Sequence, residues 1–325
     1  MKKELVANQV LKLICNKDKN LRKPTIVGIG ELFWNVLPER RFFGGSPGNV
    51  VYHAAKQGAE AYLVSAVGDD VDGYELRAEL GRKGIFDKYV STAPALPTGT
   101  AVADHDGVMF GCDTRAPVAW DLIQYSPDLE RLAEKANAVC FGLLSQRKDV
   151  TASTIRYFLE ATKPECLRVL DLNLNHNCFS KNIVTDSLRL CNILKLNADE
   201  LEWLTDLLDL GGNKAVMSIL VHRYNLKYIV LTRGTDGSVL YDGDSFVVIP
   251  ALSYEEEVDD SGCGDAFTAA FVTALLYDLR PADAMLHASK VAGYVCSKGG
   301  AMPEIPPEHR LVVHNNENVN QMEPM

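Results

Sequence analysis

Residues 257–265 read "EVDDSGCGD" and run directly into "AFTAAFVTALL" (266–276). The second piece is almost wholly apolar and spans three helical turns, so the first is the turn that opens a buried helix. Three aspartates, Asp259, Asp260 and Asp265, crowd a Gly-Cys-Gly step there. A helix start attracts anions, because its first N–H groups are unpaired and its dipole is positive at that end. Glycines let the backbone approach a ligand closely, and successive N–H groups can form an anion-binding nest. Asp265, at the helix start, is then placed to take a proton from a hydroxyl attacking phosphorus. An aspartate cap after a glycine turn explains the local pattern equally well.

Upstream of this turn, short apolar runs alternate with helical patterns. The strand candidates are "TIVGIG" (25–30), "AYLVSAVG" (61–68), "AVCFG" (138–142), "LRVLDLN" (167–173), "NILKLN" (192–197) and "KYIVLT" (227–232). Helical stretches at 49–57, 74–83, 154–162 and 198–208 lie between them. Such alternation predicts βαβ units and a mostly parallel sheet with helices on both faces. Ligands gather at the carboxyl ends of such strands, and these end in "GIGE", "VGDD", "DLNLN", "LNADE" and "LTRGTDG". Residues 34–45 and 96–117 break the pattern. The second alternates like an antiparallel hairpin with "DHDG" as its turn, and together they predict a small β flap over the sheet edge.

The 325 residues suffice for a large core, and a hydrophobic fraction of 47% with 23% charged residues is ordinary for a globular chain. A net charge of −10 argues against a nucleic-acid or anionic-membrane surface. No run of 18 apolar residues offers a membrane span. Residues 1–23 read as an amphipathic helical extension rather than a signal peptide, and 311–325 as a polar tail. The eight cysteines (15, 112, 140, 166, 178, 191, 263, 296) show no C-x-x-C pair. They read as buried, reduced thiols of a cytoplasmic protein. His53 reads as a packing residue, and His105 falls in the hairpin turn.

The 257–265 turn resembles the D-T-x-G-A-G-D signature of the ribokinase-like (PfkB) carbohydrate kinases, in a fructokinase-like form. Asp259, Gly262, Gly264 and Asp265 match it, with Cys263 in place of Ala and Asp260 in place of Thr. A second family signature, G-G-x-P-x-N, is similar to "GGSPGN" with Gly44, Gly45 and Asn49. The likeness runs from about residue 24 to 306. It implies a three-layer α/β/α sandwich with a mostly parallel central sheet and a small β lid (about 35–44 and 97–118) within a kinase domain at 24–310. It also implies ATP-dependent phosphorylation of a sugar hydroxyl. Asp265 would be the base, and the amides of Gly262, Cys263 and Gly264 the anion hole. "KLNADE" resembles the family's N-x-x-E, so Asn197 and Glu200 would organise Mg²⁺ through water. "LTRGTDG" resembles its nucleotide turn, so Thr232, Gly234 and Gly237 would receive ATP phosphates, with Asp259 and Ser289 also on the nucleotide side. Lid strands of this family often meet across a dimer, and the alternation at 98–110 permits a homodimer.

The departures lie mostly at the sugar end. Asn35 stands where fructokinases carry an Asp, Asn175 where they carry an Arg, and Ser289 where an Asn is usual. Losing one negative and one positive group together leaves a neutral acceptor pocket. Asp260 adds charge near phosphates, which Mg²⁺ or a monovalent cation such as K⁺ would offset. Two alternatives follow: a kinase for another sugar, a nucleoside or a sugar acid, or a non-catalytic sugar- or nucleotide-binding relative. A dinucleotide-binding reading of "GIGELF" fails for want of the third glycine and the later acidic residue.

Overall fold

The computed structural model describes residues 22–36, 40–103, 109–110, 116–174, 180–211, 215–252, 258 and 260–311. Residues 1–21 of the expected N-terminal extension (1–23), the "DHDG" turn, residues 312–325 of the expected tail (311–325) and the candidate site residues Asn175 and Asp259 lie outside them.

A nine-stranded sheet forms the centre of the molecule. Its strands are β1 (Thr25–Ile29), β4 (Glu60–Val67), β5 (Tyr89–Thr92), β8 (Ala138–Phe141), β9 (Leu167–Asp171), β10 (Ile193–Asn197), β11 (Tyr228–Thr232), β12 (Ser238–Tyr241) and β13 (Phe246–Ile249). They run in the order β13-β12-β11-β10-β9-β8-β1-β4-β5. The sheet is parallel from β11 to β5, and only β12 and β13 pair antiparallel at one edge. The inner strands are largely apolar because both faces are covered, with polar residues concentrated toward their carboxyl ends. Successive residues go to opposite sides: Ile26, Leu63, Cys140 and Val169 enter one core, Val27, Val64, Val139 and Leu170 the other.

The first core packs against helices α1 (Ser46–Lys56), α2 (Val71–Arg82), α8 (Cys263–Leu276) and α9 (Pro281–Cys296). The second packs against α3 (Pro127–Lys135), α4 (Asp149–Glu160), α5 (Lys181–Leu190), α6 (Ala198–Leu207) and α7 (Val216–Tyr224). The result is the expected three-layer α/β/α sandwich.

The flap is a separate four-stranded sheet of β2 (Phe33–Val36), β3 (Arg41–Gly44), β6 (Gly99–Ala103) and β7 (Met109–Phe110), in the order β3-β2-β6-β7. The expected hairpin is present as the antiparallel β6–β7 pair. Trp34 fixes the flap to the body by donating from its indole nitrogen to the Asp72 carbonyl, 3.1 Å away. Behind it, Arg147 and Asp121 make a buried bidentate pair, each bond 2.8 Å, with the guanidinium over the Trp120 ring.

Candidate active site

The carboxyl ends of β1, β9 and β10, the first turns of α1 and α8, and the flap enclose one cavity of about 670 Å³. Asp265 sits on its wall in the first turn of α8. Each of its oxygens takes a hydrogen bond from the first turn of α1. Ser46 Oγ donates to Oδ1 at 2.5 Å, and Asn49 Nδ2 donates to Oδ2 at 2.7 Å. Both donors line the same cavity, so the carboxylate faces the space a substrate would fill. Burial above all, then the charge of Asp171, pushes the Asp265 carboxyl up from its usual 3.8 to about 6. The two hydrogen bonds and the Lys195 ammonium act in the other direction. A base poised just below neutral pH is ionised at neutrality and still basic enough to accept a proton.

Gly262, in the left-handed conformation at φ 74°, caps α8, and both it and Gly264 line the cavity. The Cys263 N–H turns back onto the Asp260 carbonyl at 3.2 Å, which leaves the Gly264 N–H as the donor of this first turn open to an anion among the described residues. Across the cavity, Glu31 follows β1 and is 4% exposed. Burial, with a smaller contribution from Asp265, pushes its carboxyl up to about 7, and its Oε2 has no protein partner among the described residues. Lys195 projects from β10 beside its register partner Asp171 on β9, with Nζ donating to Oδ1 at 3.0 Å.

At the end of β10, Asn197 and Glu200 form a reciprocal cap on α6. Asn197 Oδ1 accepts from the Glu200 amide at 2.9 Å, and Glu200 Oε2 accepts from the Asn197 amide at 2.7 Å. Glu200 Oε1 accepts from the Leu174 amide at 3.0 Å. Burial raises the Glu200 carboxyl above its ordinary value, although Lys195 opposes the shift.

The profile of the pfkB family carbohydrate kinases matches residues 38–308. The chain belongs to that family. It is an ATP-dependent carbohydrate kinase. Fructokinase-1 of Oryza sativa is 26% identical over 308 residues, covering 88% of this chain and 91% of that one. The ATP-dependent 6-phosphofructokinase of Thermoanaerobacterium thermosaccharolyticum is 25% identical over 288 residues, covering 82% and 83%. The crystal structure of a fructokinase with bound ATP from Xylella fastidiosa superposes with a TM-score of 0.76 at 19% identity, covering 86% of this chain and 94% of that one.

Within this kinase, Asn35, Gly44, Gly45, Asn49, Asn197, Glu200, Gly262, Gly264 and Asp265 all border the one cavity. Thr232, Gly234, Gly237 and Ser289 do not. Thr232 is the register partner of Asn197 at the end of β11, and Gly234 and Gly237 flank the turn that follows it. Ser289 lies on α9 with its hydroxyl 3.4 Å from that of Ser238 on β12. These four therefore extend from the cavity rim across the β11–β12 end of the sheet.

Two expectations need correction. Cys263 does not border the cavity. It forms a disulfide with Cys296, with Cα atoms 5.7 Å apart, so these two are not the reduced thiols the spacing implied. The pair is 33 residues apart in sequence and meets because α8 and α9 pack side by side, joining the start of one to the end of the other. Cys140, Cys166 and Cys191 are free and buried as expected. His53 is a packing residue, but a partnered one: its Nε2 lies 2.8 Å from the Ala301 carbonyl, and burial lowers its pKa to about 4. The residues that motif reading missed are Glu31, Ser46, Asp171 and Lys195. Glu31 and Asp171 carried a signal, as acids at the carboxyl ends of the first strand and of the "LRVLDLN" strand.

Proposed function

We propose that this kinase transfers the γ-phosphoryl group of ATP to a hydroxyl of a small, uncharged sugar, with fructose the first candidate, and that Asp265 is the base. The observation carrying this reading is the Asp265 carboxylate on the cavity wall, between the anion-binding turn of α8 and the polar first turn of α1. A sugar hydroxyl displacing the Ser46 contact would lie against Oδ1, while the turn amides of Gly262 and Gly264 would meet the phosphoryl oxygens, the Cys263 amide being held by the Asp260 carbonyl at 3.2 Å. Asn49 Oδ1, which has no partner among the described residues, would accept from a second hydroxyl. Asn35 would bind the sugar as a neutral partner, and Thr232, Gly234, Gly237 and Ser289 would serve the nucleotide.

Asn197 and Glu200 fit a Mg²⁺ held through its water shell. Each of their acceptor oxygens already takes one backbone N–H and keeps a lone pair for a water. Bound there, the metal would neutralise the charge of the ATP phosphates. The chain's own residues orient the acceptor, take its proton and hold the phosphoryl group. No described helix is long and apolar enough to cross a membrane, and we place the enzyme in the cytoplasm.

A phosphorylated acceptor, as in the 6-phosphofructokinase relative, fits less well, because Lys195 is the one cationic side chain among the described residues lining the cavity. A nucleoside acceptor is the second reading. Phe33 and Phe42 both line the flap end of the cavity, where an aromatic base would stack. The test is ATP consumption against fructose, glucose, ribose, fructose 6-phosphate, 2-keto-3-deoxygluconate and adenosine. Turnover with an unphosphorylated sugar, at least about tenfold above fructose 6-phosphate, is the expected result. Adenosine as the fastest acceptor selects the second reading, and ATP binding without turnover on any acceptor overturns both.

A further inference from the structure

The cavity carries a charge imbalance that the base and the turn amides do not address. Five carboxylates line it, from Glu31, Asp171, Glu200, Asp260 and Asp265, against the single ammonium of Lys195. A triphosphate entering this space meets repulsion from nearly every charged wall group. The position of the lone cation is therefore informative.

We propose that Lys195 is a catalytic residue, its ammonium leaving Asp171 to bind the transferring phosphoryl group beside the Gly264 amide. Three observations support this. First, a carbon added at Gly264 would lie 2.9 Å from Lys195 Nζ. The glycine thus leaves the ammonium open to the turn that holds the anion. Second, Asp171 is tied to the catalytic helix. Thr268 Oγ1, one turn after Gly264, shares its proton between the Gly264 carbonyl at 2.9 Å and Asp171 Oδ2 at 3.2 Å while Lys195 holds Oδ1. The ion pair, the base and the glycine turn therefore share one rigid support. Third, the side chain of Lys195 is 11% exposed and yet borders the cavity, so its charge acts in a poorly solvated space. Asp171 pairs with it directly, and Glu200 and Asp265 line the same cavity.

In the transfer, the bond from the γ-phosphorus to the β,γ-bridging oxygen breaks as the bond from the sugar oxygen forms. The hydroxyl proton passes to Asp265, and ADP leaves with the electron pair. Lys195 gains and loses no proton. It stabilises charge on the equatorial oxygens in the transition state more than in bound ATP, the requirement for raising kcat rather than affinity. The proposal rests on the kinase assignment and not on which sugar is taken.

The test compares wild type, Lys195→Met and the double variant Lys195→Met/Asp171→Asn, which does not leave the Asp171 carboxylate without its cation. The acceptor is the fastest one on the panel. We expect kcat to fall about 100-fold or more in both variants, with KM for ATP and acceptor within about threefold. Calorimetry should show both variants losing the preference for ADP with fluoroaluminate, a phosphoryl mimic, over ADP alone, even if no acceptor is turned over. A folded variant with near-wild-type kcat, or one losing ADP and ADP–fluoroaluminate affinity equally, overturns the proposal and leaves Lys195 a structural partner of Asp171. Should neither variant fold, a crystal structure of wild type with ADP and fluoroaluminate decides. Nζ is expected within about 3.2 Å of a fluoride, and Nζ remaining on Asp171 and away from the mimic overturns it.

Discussion

Asp265→Asn will lose about 10³-fold in kcat and will melt at a higher temperature than the wild type. The activity loss follows from removing the group proposed to take the acceptor proton, a contribution of about 10²–10⁴ in comparable enzymes. The stability gain follows from the same geometry. Holding this carboxyl near pKa 6 instead of 3.8 means that its ionised form is disfavoured in the folded protein by at most about 3 kcal/mol, and by less where water enters the cavity. An amide carries no such charge. It also keeps both hydrogen bonds: Ser46 still donates to Oδ1, and the Asn49 amide can turn to offer its unpartnered Oδ1 to the new NH₂ group. A rise of about 2–5 °C in Tm is expected near pH 8, measured by calorimetry on the protein without ligands.

The pH dependence separates this cause from a general packing effect. A carboxyl whose pKa is raised on folding binds its proton more tightly in the native state. Its favourable contribution is complete below 3.8 and lost as pH rises through about 6. The Tm advantage of Asp265→Asn should therefore vanish near pH 4, grow between 4 and 6, and level off above. His53 and His287, both lowered to about 4 by burial, drive the opposite trend over much of that range. They are present in both proteins and cancel in the difference. In wild type, kcat/KM should fall with unit slope below about pH 6, as the base becomes protonated. A Tm difference that does not change with pH would contradict the electrostatic origin of the gain.

The sheet was legible because its inner strands are short apolar runs bounded by polar ends. "KYIVLT" and "NILKLN" could only be strands covered on both faces, and their parallel register aligns Thr232 with Asn197. The glycine turn that opens α8 was legible because glycine, aspartate and an apolar helix lie within one short span. The contacts that give the site its electrostatics were not. Ser46 and Asp265 are 219 residues apart, and Lys195 and Asp171 are 24 apart. Each pair is made by register or helix packing, and neither residue's neighbours in sequence announce its partner. The same holds for the disulfide, where ordinary cysteine spacing concealed a contact set by the packing of α8 on α9. Strands β5, β12 and β13 were missed too. They are short, and β13 alternates exposed and half-buried positions on an edge, a pattern too brief to distinguish from loop.

Gly262→Ala should damage folding and catalysis together, by a mechanism that Asp265→Asn leaves untouched. Gly262 sits at φ 74°, ψ 0°, a left-handed conformation that disfavours a side chain by about 1–2 kcal/mol. The new methyl carbon would also lie 2.5 Å from Ala301 Cβ and 2.8 Å from its Cα. Backbone cannot yield as a flexible side chain can, and the Ala301 carbonyl is held against His53 at 2.8 Å. The cap of α8 must therefore tilt away from Ala301, and with it the N–H group of Gly264, which borders the cavity. Anion-hole donors act through placement, and a donor removed or misdirected lowers kcat by about 10²–10³-fold. Expected, then, are a lower Tm by several degrees and a kcat loss of that order at little change in acceptor KM. Because Asp265 keeps its hydrogen bonds to α1 across the cavity, the acid limb of the rate profile should stay near pH 6. A limb displaced by a full pH unit or more would mean that the turn sets the basicity of Asp265 as well as the position of the phosphoryl group.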